Sequence, residues 1–173
     1  MIAFLRARSK DLPDILRLIA QAQAFMAGLG IDQWQDGYPG EDVLAEDIRI
    51  GQLYVLDDEG SIAAVAALSL IPEPVYDALE GGAWQFGDAY LTLHRMALDD
   101  AHRGGGLATR MLAEAAALAR AHGKTSLRAD THAGNKAMRR FLEKQGFALR
   151  GWVRYDVHSG DPMRVAYEKA IAE

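Results

Sequence analysis

Residues 90–109 read YLTLHRMALDDAHRGGGLAT, and this stretch decides how the rest of the chain is interpreted. Residues 89–98 have the apolar character of a buried strand, and an acidic pair follows them. Three consecutive glycines at 104–106 then precede a helical pattern. Glycine lets the backbone approach an anion closely, and the free amides at a helix start favour negative charge. The stretch therefore predicts a strand, a loop and a helix that together bind phosphate, with Arg103 adding a positive charge.

The residues before this stretch predict strands and helices in alternation. A short extended pattern covers residues 2–8, and the spacing of apolar residues predicts helices over 12–27 and about 41–50. Residues 53–56 and 62–70 flank a polar turn that ends in glycine, which is typical of an antiparallel hairpin. The segment that follows is rich in proline and glycine and predicts an irregular loop up to residue 88.

The residues after the stretch continue the alternation. Apolar periodicity predicts a helix from about 105 to 122, and a short strand follows at 126–129. A further helix is expected over about 133–145, because a glycine stands directly after it. Residues 147–157 and 163–169 then read as a pair of strands joined by a turn.

Composition limits the class of protein. The length of 173 residues fits one domain, residues 1–173, and the absence of cysteine excludes disulfides, thiolate zinc sites and a cysteine nucleophile. A net charge of −5 argues against a nucleic-acid partner. The N-terminus becomes charged too early for a signal peptide, and the longest apolar run, residues 62–71, is too short to span a bilayer. We therefore expect a cytoplasmic protein without a membrane partner.

The glycine loop has alternative interpretations. The nucleotide-triphosphate loop requires a lysine after its last glycine, where this chain has Leu107. The dinucleotide fingerprint is closer, because Gly104 and Gly106 give its first two glycines and Asp130 follows the next strand as a ribose-binding acid would. Thr109, however, occupies the third glycine position, so a dinucleotide enzyme stays a minor alternative. A merely flexible turn is the remaining structural explanation.

Two motifs resemble those of the GNAT acyltransferase superfamily. Arg103-x-x-Gly106-x-Ala108, which follows a strand and opens a helix, is similar to the cofactor signature of that family. Residues 135–147, from an asparagine that opens a helix to the Gly-Phe pair that ends it, resemble its later motif. The order of elements is also similar over essentially the whole chain. The resemblance implies an α/β (α+β) fold, with a mixed, mostly antiparallel sheet of about seven strands and about four flanking helices.

The resemblance also implies an activity. Acetyl-CoA would serve as co-substrate, and its acetyl group would pass to a primary amine by direct attack in a ternary complex, without a metal. The cofactor would lie between the strands at 89–98 and 125–129, with its pantetheine on the first strand and its pyrophosphate on the loop amides. Arg139 or Arg140 would reach toward the adenosine. The cofactor residues implied in this way are Met96, Ala97, Leu98, Arg103, Gly104, Gly105, Gly106, Leu107, Ala108, Thr109, Asn135 and Arg139.

Four side chains are candidate catalytic groups, because the usual proton donor of the family is missing. Leu142 stands seven residues after the asparagine, where many family members have a tyrosine that protonates the leaving thiolate. Tyr155 is a candidate replacement, and the candidate bases are His94, His132 and Asp130. Each has a structural alternative as a core residue or helix cap. The missing tyrosine also leaves open a catalytically silent module that binds acyl-CoA.

The acceptor is not identified by the motifs. Trp34, Tyr38 and Trp84 lie in loops that border the acceptor side in this family, so an aromatic pocket is expected, although core packing explains each equally well. Small amines, amino acids, aminoglycosides, peptide N-termini and lysines are all compatible, and the negative net charge favours a cationic acceptor. Because family members are often dimers, a homodimer is also predicted.

Overall fold

A seven-stranded sheet runs through the computed structural model, which describes residues 1–172. Its strands are β1 (Ile2–Arg6), β2 (Leu53–Asp58), β3 (Ser61–Ser69), β4 (Tyr90–Leu98), β5 (Ser126–Thr131), β6 (Ala148–Arg154) and β7 (Met163–Ala170). The helices are α1 (Leu12–Gly28), α2 (Glu41–Arg49), α3 (Leu107–Ala121) and α4 (Lys136–Lys144). None of these helices is long and apolar enough to cross a membrane.

The strand order is β1-β2-β3-β4-β5-β7-β6, and β4 with β5 is the parallel pair among antiparallel neighbours. This arrangement confirms the predicted mixed, mostly antiparallel sheet. Some boundaries differ from the sequence expectation. Strand β5 continues to Thr131, because its pairing with β7 extends beyond its pairing with β4. Strand β6 ends at Arg154, so Tyr155 lies in the following loop.

The two faces of the sheet carry different helices. Helices α1 and α2 cover one face, where Ile15, Leu18 and Leu44 pack with residues of β2, β3 and β4. Helices α3 and α4 cover the other, where Met111 and Ala115 pack with residues of β2–β5 and β7. Strand β3 is buried on both faces, which explains its nearly continuous apolar sequence.

The parallel strands β4 and β5 separate part-way along their length. They pair from Tyr90 with Ser126 to Leu93 with Ala129, and no β5 partner within residues 1–172 is paired with the rest of β4. Beyond that point β4 also contains a bulge against β3, where Arg95 adopts a φ of 50°. The sheet therefore opens into a gap bordered by the second half of β4.

Candidate active site

One cavity of about 770 Å³ fills the gap between β4 and β5. Its walls come from α1 and the loop after it, the second half of β4, the end of β5, α4, and the loop between β6 and β7. Met96, Ala97 and Leu98 line it. Because β5 does not pair with this part of β4, backbone groups on that side are available to a ligand.

The start of α3 forms an anion cradle at one end of the cavity. Gly104 and Gly106 have φ values of 81° and 73°, a left-handed conformation that favours glycine. The amides of residue 104 and of residues 106–109 donate to no protein group within residues 1–172. Free amides at a helix start attract phosphate. The predicted residues Gly105, Leu107, Ala108 and Thr109 belong to the same loop and first helical turn, and Ala108 lines the cavity.

Arg103 extends this cradle. Its Nε donates to Asp100 Oδ1 at 2.6 Å, and its guanidinium lies 4.7 Å from the centre of the Phe25 ring. Arg103 lines the cavity while its side chain is about half exposed. The carboxylate and the ring hold the cation at the cavity edge, and the terminal nitrogens donate to no protein group within the described chain.

Asn135 lies where β5 leads into α4. Its Oδ1 accepts a hydrogen bond from the Met138 amide at 3.2 Å and so caps α4. Its side-chain nitrogen donates to no group of residues 1–172, and the buried residue lines the cavity. The side-chain oxygen of Asn135 thus caps α4, and its side-chain nitrogen remains available as a hydrogen-bond donor to a ligand.

Arg139, at which the resemblance placed the adenosine, is hydrogen-bonded to two other segments of the protein. Its Nε donates to Tyr167 Oη at 3.1 Å, and a terminal nitrogen donates to the Ala133 carbonyl at the same distance. Neither Arg139 nor the exposed Arg140 lines the cavity. Arg139 therefore links α4 to β7 through a buried tyrosine.

Asp130 occupies the other end of the cavity, on the α1 side of the sheet. Its Oδ2 accepts hydrogen bonds from Tyr76 Oη at 2.8 Å and Tyr155 Oη at 2.7 Å. Burial and the neighbouring Asp130 raise the pKa of both tyrosines well above the ordinary value. The second oxygen, Oδ1, accepts no hydrogen bond from residues 1–172, although Asp130 lines the cavity. The two tyrosines thus fix the Asp130 carboxylate through Oδ2, and Oδ1 stays available to a ligand.

His94 also faces this end, as part of a pair. Its Nε2 donates to Glu73 Oε2 at 3.0 Å, and this hydrogen bond lowers the pKa of Glu73. Both residues line the cavity. Within the described chain, no group of three or more His, Asp or Glu side chains has the arrangement of a metal site.

His132 lies outside the cavity lining. Its Nδ1 accepts a hydrogen bond from the Gly134 amide at 2.9 Å, so the neutral ring carries its proton on Nε2. Nε2 lies 3.3 Å from Asp32 Oδ1 and 3.4 Å from Asp161 Oδ2. The ring therefore joins the loop after α1 and the β6–β7 loop to the end of β5.

The three aromatic candidates separate into two groups. Trp34 and Tyr38 line the cavity, and Tyr38 Oη accepts a hydrogen bond from Arg95 at 2.7 Å. Trp84 does not line it: its indole nitrogen donates to the Tyr76 carbonyl at 2.8 Å, and its ring lies 4.1 Å from the guanidinium carbon of Arg128. Loop position alone did not distinguish Trp84 from the other two.

Sequence reasoning also missed several charged residues of the cavity. Arg95 donates to both oxygens of the buried Asp47, at 2.7 and 2.9 Å. A charged residue in the middle of an apolar strand was the available signal for Arg95. Glu73 and Arg164 gave no local signal, because each lies in or beside a loop where charge is ordinary.

Known proteins that are similar to this chain point to one family. Residues 17–147 match the family model described as Acetyltransferase (GNAT) family. An acetyltransferase of the GNAT family from Streptococcus agalactiae 2603 has a TM-score of 0.88 at 35% identity, over 99% of this chain and 96% of that chain. A search of curated proteins found no match.

More distant structures share the fold. A putative acetyltransferase from Staphylococcus aureus Mu50 has a TM-score of 0.73 at 23% identity, over 98% of this chain and 99% of that chain. The ribosomal-protein-S18-alanine N-acetyltransferase from Escherichia coli has a TM-score of 0.68 at 17% identity, over 100% and 96%. With the family match over residues 17–147, these findings show that the chain belongs to the GNAT acetyltransferase family, whose typical co-substrate is acetyl-CoA.

Proposed function

We propose that this protein is an N-acetyltransferase that transfers the acetyl group of acetyl-CoA to a primary amine by direct attack in a ternary complex. One observation carries the proposal. A single cavity connects the free amides at the start of α3 with the open carboxylate oxygen of Asp130, through the gap between β4 and β5. The first feature suits a phosphorylated donor, and the second suits an amine that must lose a proton.

The end of the cavity at the start of α3, which we call the donor end, carries groups that suit acetyl-CoA. The amides at the start of α3 and the Arg103 guanidinium would hold the pyrophosphate. The free backbone groups of β4 near Met96 and Leu98 would pair with the pantetheine arm, and the Asn135 side-chain nitrogen would add a donor. When bound, acetyl-CoA supplies an activated acyl group as a thioester. The role of the protein is then to place the amine beside it.

Asp130 is the base that we favour. Its Oδ1 is open to the cavity, and two tyrosine hydroxyls fix the carboxylate through Oδ2. Of the two histidine candidates, His94 uses its Nε2 on Glu73, and His132 lies outside the cavity. As the amine nitrogen forms its bond to the acyl carbon, the C–S bond breaks and the amine proton passes to Oδ1, and from there to solvent.

No tyrosine in the expected place protonates the leaving thiolate. Leu142 is fully buried at that position, and the Tyr155 proton is donated to Asp130. Because the pKa of Tyr155 is raised, its hydroxyl is a poor acid for this step. A thiol has an ordinary pKa of about 8.5, so CoA can leave as the thiolate near neutral pH. We therefore propose that Tyr155 orients Asp130 and does not donate to the thiolate.

The first test is thermal unfolding with acetyl-CoA, CoA and NAD in parallel. A ligand at about 100 times its dissociation constant stabilises by about 2.7 kcal/mol, so both CoA species should raise the midpoint clearly. Thiol release from acetyl-CoA is then followed across a panel of amines. A shift with NAD alone would contradict the proposal and favour a dinucleotide enzyme.

Leu142 supports a second candidate, a catalytically silent module that binds acyl-CoA. A buried apolar side chain replaces the proton donor there. This candidate predicts the same thermal shift with both CoA species but no thiol release above the uncatalysed rate with any amine. Thiol release with one amine and not with others excludes it.

A further inference from the structure

Arg164, at the start of β7, is a buried cation without a carboxylate partner. The residue is only 7% exposed, and no carboxylate within residues 1–172 lies within 4.0 Å of its guanidinium. One terminal nitrogen donates to the carbonyls of Asp161 at 2.6 Å and Met163 at 2.8 Å. Burying a charge is costly unless it is paired or fully hydrogen-bonded. The arginine is thus anchored but not neutralised.

The acidic groups near Arg164 face elsewhere. The Asp161 carboxylate accepts a hydrogen bond from the Met163 amide at 2.9 Å through Oδ1, and its Oδ2 faces His132 at 3.4 Å. Asp156 is exposed and forms no ion pair within the described chain. The Nε and the second terminal nitrogen of Arg164 donate to no protein group in residues 1–172. These two nitrogens form one edge of the guanidinium, which matches the two oxygens of a carboxylate.

Arg164 lies on the same face of the sheet as Asp130. Asp130 pairs with Ala166, and Arg164 stands two residues before Ala166 on β7, so all three side chains project to that face. The other face carries Val165 and Tyr167, which pack in the core beneath α3 and α4. Arg164 is therefore across the sheet from the anion cradle of α3, and it lines the same cavity as Asp130. Arg164 therefore belongs with Asp130 to the part of the cavity that we call the acceptor side.

The other arginines that line the cavity are either hydrogen-bonded to protein groups or lie at the donor end. Arg95 uses its donors on Asp47 and Tyr38. Arg103 is bound to Asp100 at the donor end. The acceptor side therefore combines one open carboxylate oxygen, on Asp130, with one open guanidinium edge, on Arg164. Arg164 is offset from Asp130 by two residues along β7, about 7 Å, and by one inter-strand spacing of about 5 Å, so the two backbone positions lie roughly 8 Å apart.

We propose that the acceptor is a small amino acid-like zwitterion, whose carboxylate binds Arg164 while its amine meets Asp130. The inference rests on the proposed acetyl transfer and narrows its substrate class. It differs from the expectation, drawn from net charge, that a cationic acceptor is favoured. The arginine pairs side-on with the carboxylate, and this pairing selects against amines that lack an anionic group.

The test compares matched amines in the thiol-release assay. Standard α-amino acids and their β- and γ-homologues are each measured against their carboxamides, with aminoalkyl phosphonates as a further arm. We expect kcat/KM to favour the carboxylate about 10- to 100-fold, the range for hydrogen bonds between charged groups. In Arg164→Gln this preference should disappear, while the carboxamide rate changes little. Arg164→Lys should retain only part of it. Arg154→Gln, at an exposed position of β6, is the matched control.

The possible results distinguish a failure of the carboxylate preference from a failure of the acetyl transfer itself. Equal loss on carboxylates and carboxamides in Arg164→Gln, or a wild-type preference for carboxamides or phosphonates, overturns the carboxylate assignment. A second readout, thermal stabilisation by amino acids in the presence of CoA, is independent of turnover and should be lost in Arg164→Gln. Absence of thiol release with every amine would defeat the proposed acetyl transfer, and this binding readout would still decide the role of Arg164. Unfolding without ligand shows whether each variant folds.

Discussion

Two charged residues on β5, the buried Arg128 and the half-buried Asp130, lie two residues apart on the same face of the sheet and have opposite surroundings. Arg128 is 2% exposed, and its Nε donates to Glu168 at 3.2 Å while the rings of Trp84 and Tyr90 cover its guanidinium. Asp130 has one oxygen bound by two tyrosines and the other open to the cavity. A charged side chain whose polar atoms are all bound by protein groups stabilises the fold. A charged side chain with an atom that lacks a protein partner is available to a ligand. We call the first kind closed and the second kind open.

The salt-bridge network around Arg128 also holds in place the segment that contacts Asp130. Glu168 is fully buried and accepts hydrogen bonds from Arg128, Arg150 and the amides of residues 85 and 86. These contacts hold the segment between β3 and β4 against the sheet. The same segment carries Tyr76 to Asp130 and Glu73 to His94. The acceptor side of the cavity therefore depends on a salt-bridge network that does not touch it.

The largest expected effect is on the closed network. Glu168→Gln keeps the shape of the side chain but leaves the buried Arg128 and the half-buried Arg150 without their shared counter-charge. We expect the free energy of unfolding to fall by about 3–5 kcal/mol, measured by urea denaturation. The control is Glu46→Gln in the exposed pair with Arg49, which should leave the free energy of unfolding unchanged. A loss no greater than in that control would mean that the network does not hold the fold.

The next effect concerns the open charge. Asp130→Asn keeps the size of the side chain and one oxygen that can accept hydrogen bonds from the tyrosine hydroxyls, but it removes the basic carboxylate. We expect kcat/KM for thiol release to fall by about 10²- to 10³-fold, with unchanged affinity for CoA and little change in the free energy of unfolding. If Asp130→Asn retains activity while His94→Gln loses it, the base is His94 and not Asp130.

A smaller effect is a pH dependence of stability that arises at Tyr155, one of the two tyrosines bound to Asp130. The pKa of Tyr155 is raised by burial and by Asp130, so the folded state keeps its proton at a pH where the unfolded state loses it. This stabilisation is complete below the unfolded pKa of about 10 and is lost as pH rises above it, by about 1.4 kcal/mol per pH unit. Urea denaturation between about pH 9.5 and 11 should give a shallower loss in Tyr155→Phe than in the wild type. Equal slopes would mean that Tyr155 titrates normally.

The fold and the conformation of the glycine loop follow from local sequence patterns, whereas the acceptor side does not. Strand and helix periods are local, and the cradle is built from consecutive residues that include Gly104 and Gly106. The acceptor side assembles Tyr76, Asp130 and Arg164 from distant segments, so their proximity depends on strand register. No local sequence pattern distinguishes a charged side chain that is fully bound by protein groups, such as Arg128, from one that keeps atoms available to a ligand, such as Asp130.

The two ends of α3 show the same contrast, between backbone amides that have a protein acceptor and amides that have none. Substitutions at these two ends give the smallest expected effect. Gly106 and Gly123 both have positive φ values, 73° and 68°, and an added Cβ meets nothing within 4 Å at either position. At the Gly123 end, the amides of residues 123 and 124 donate to helix carbonyls at 3.0 and 2.9 Å. At the Gly106 end, the amides of residues 106–109 have no protein acceptor within residues 1–172.

Alanine at either glycine should therefore cost a similar amount of stability, about 1 kcal/mol, because both positions require the left-handed conformation. Only Gly106→Ala should also weaken the binding of CoA, since its backbone must approach the pyrophosphate. Isothermal titration with CoA and urea denaturation of both variants measure the two quantities separately. Equal CoA affinity in both variants would remove the start of α3 from the donor site, because the added methyl group at position 106 would then meet no ligand.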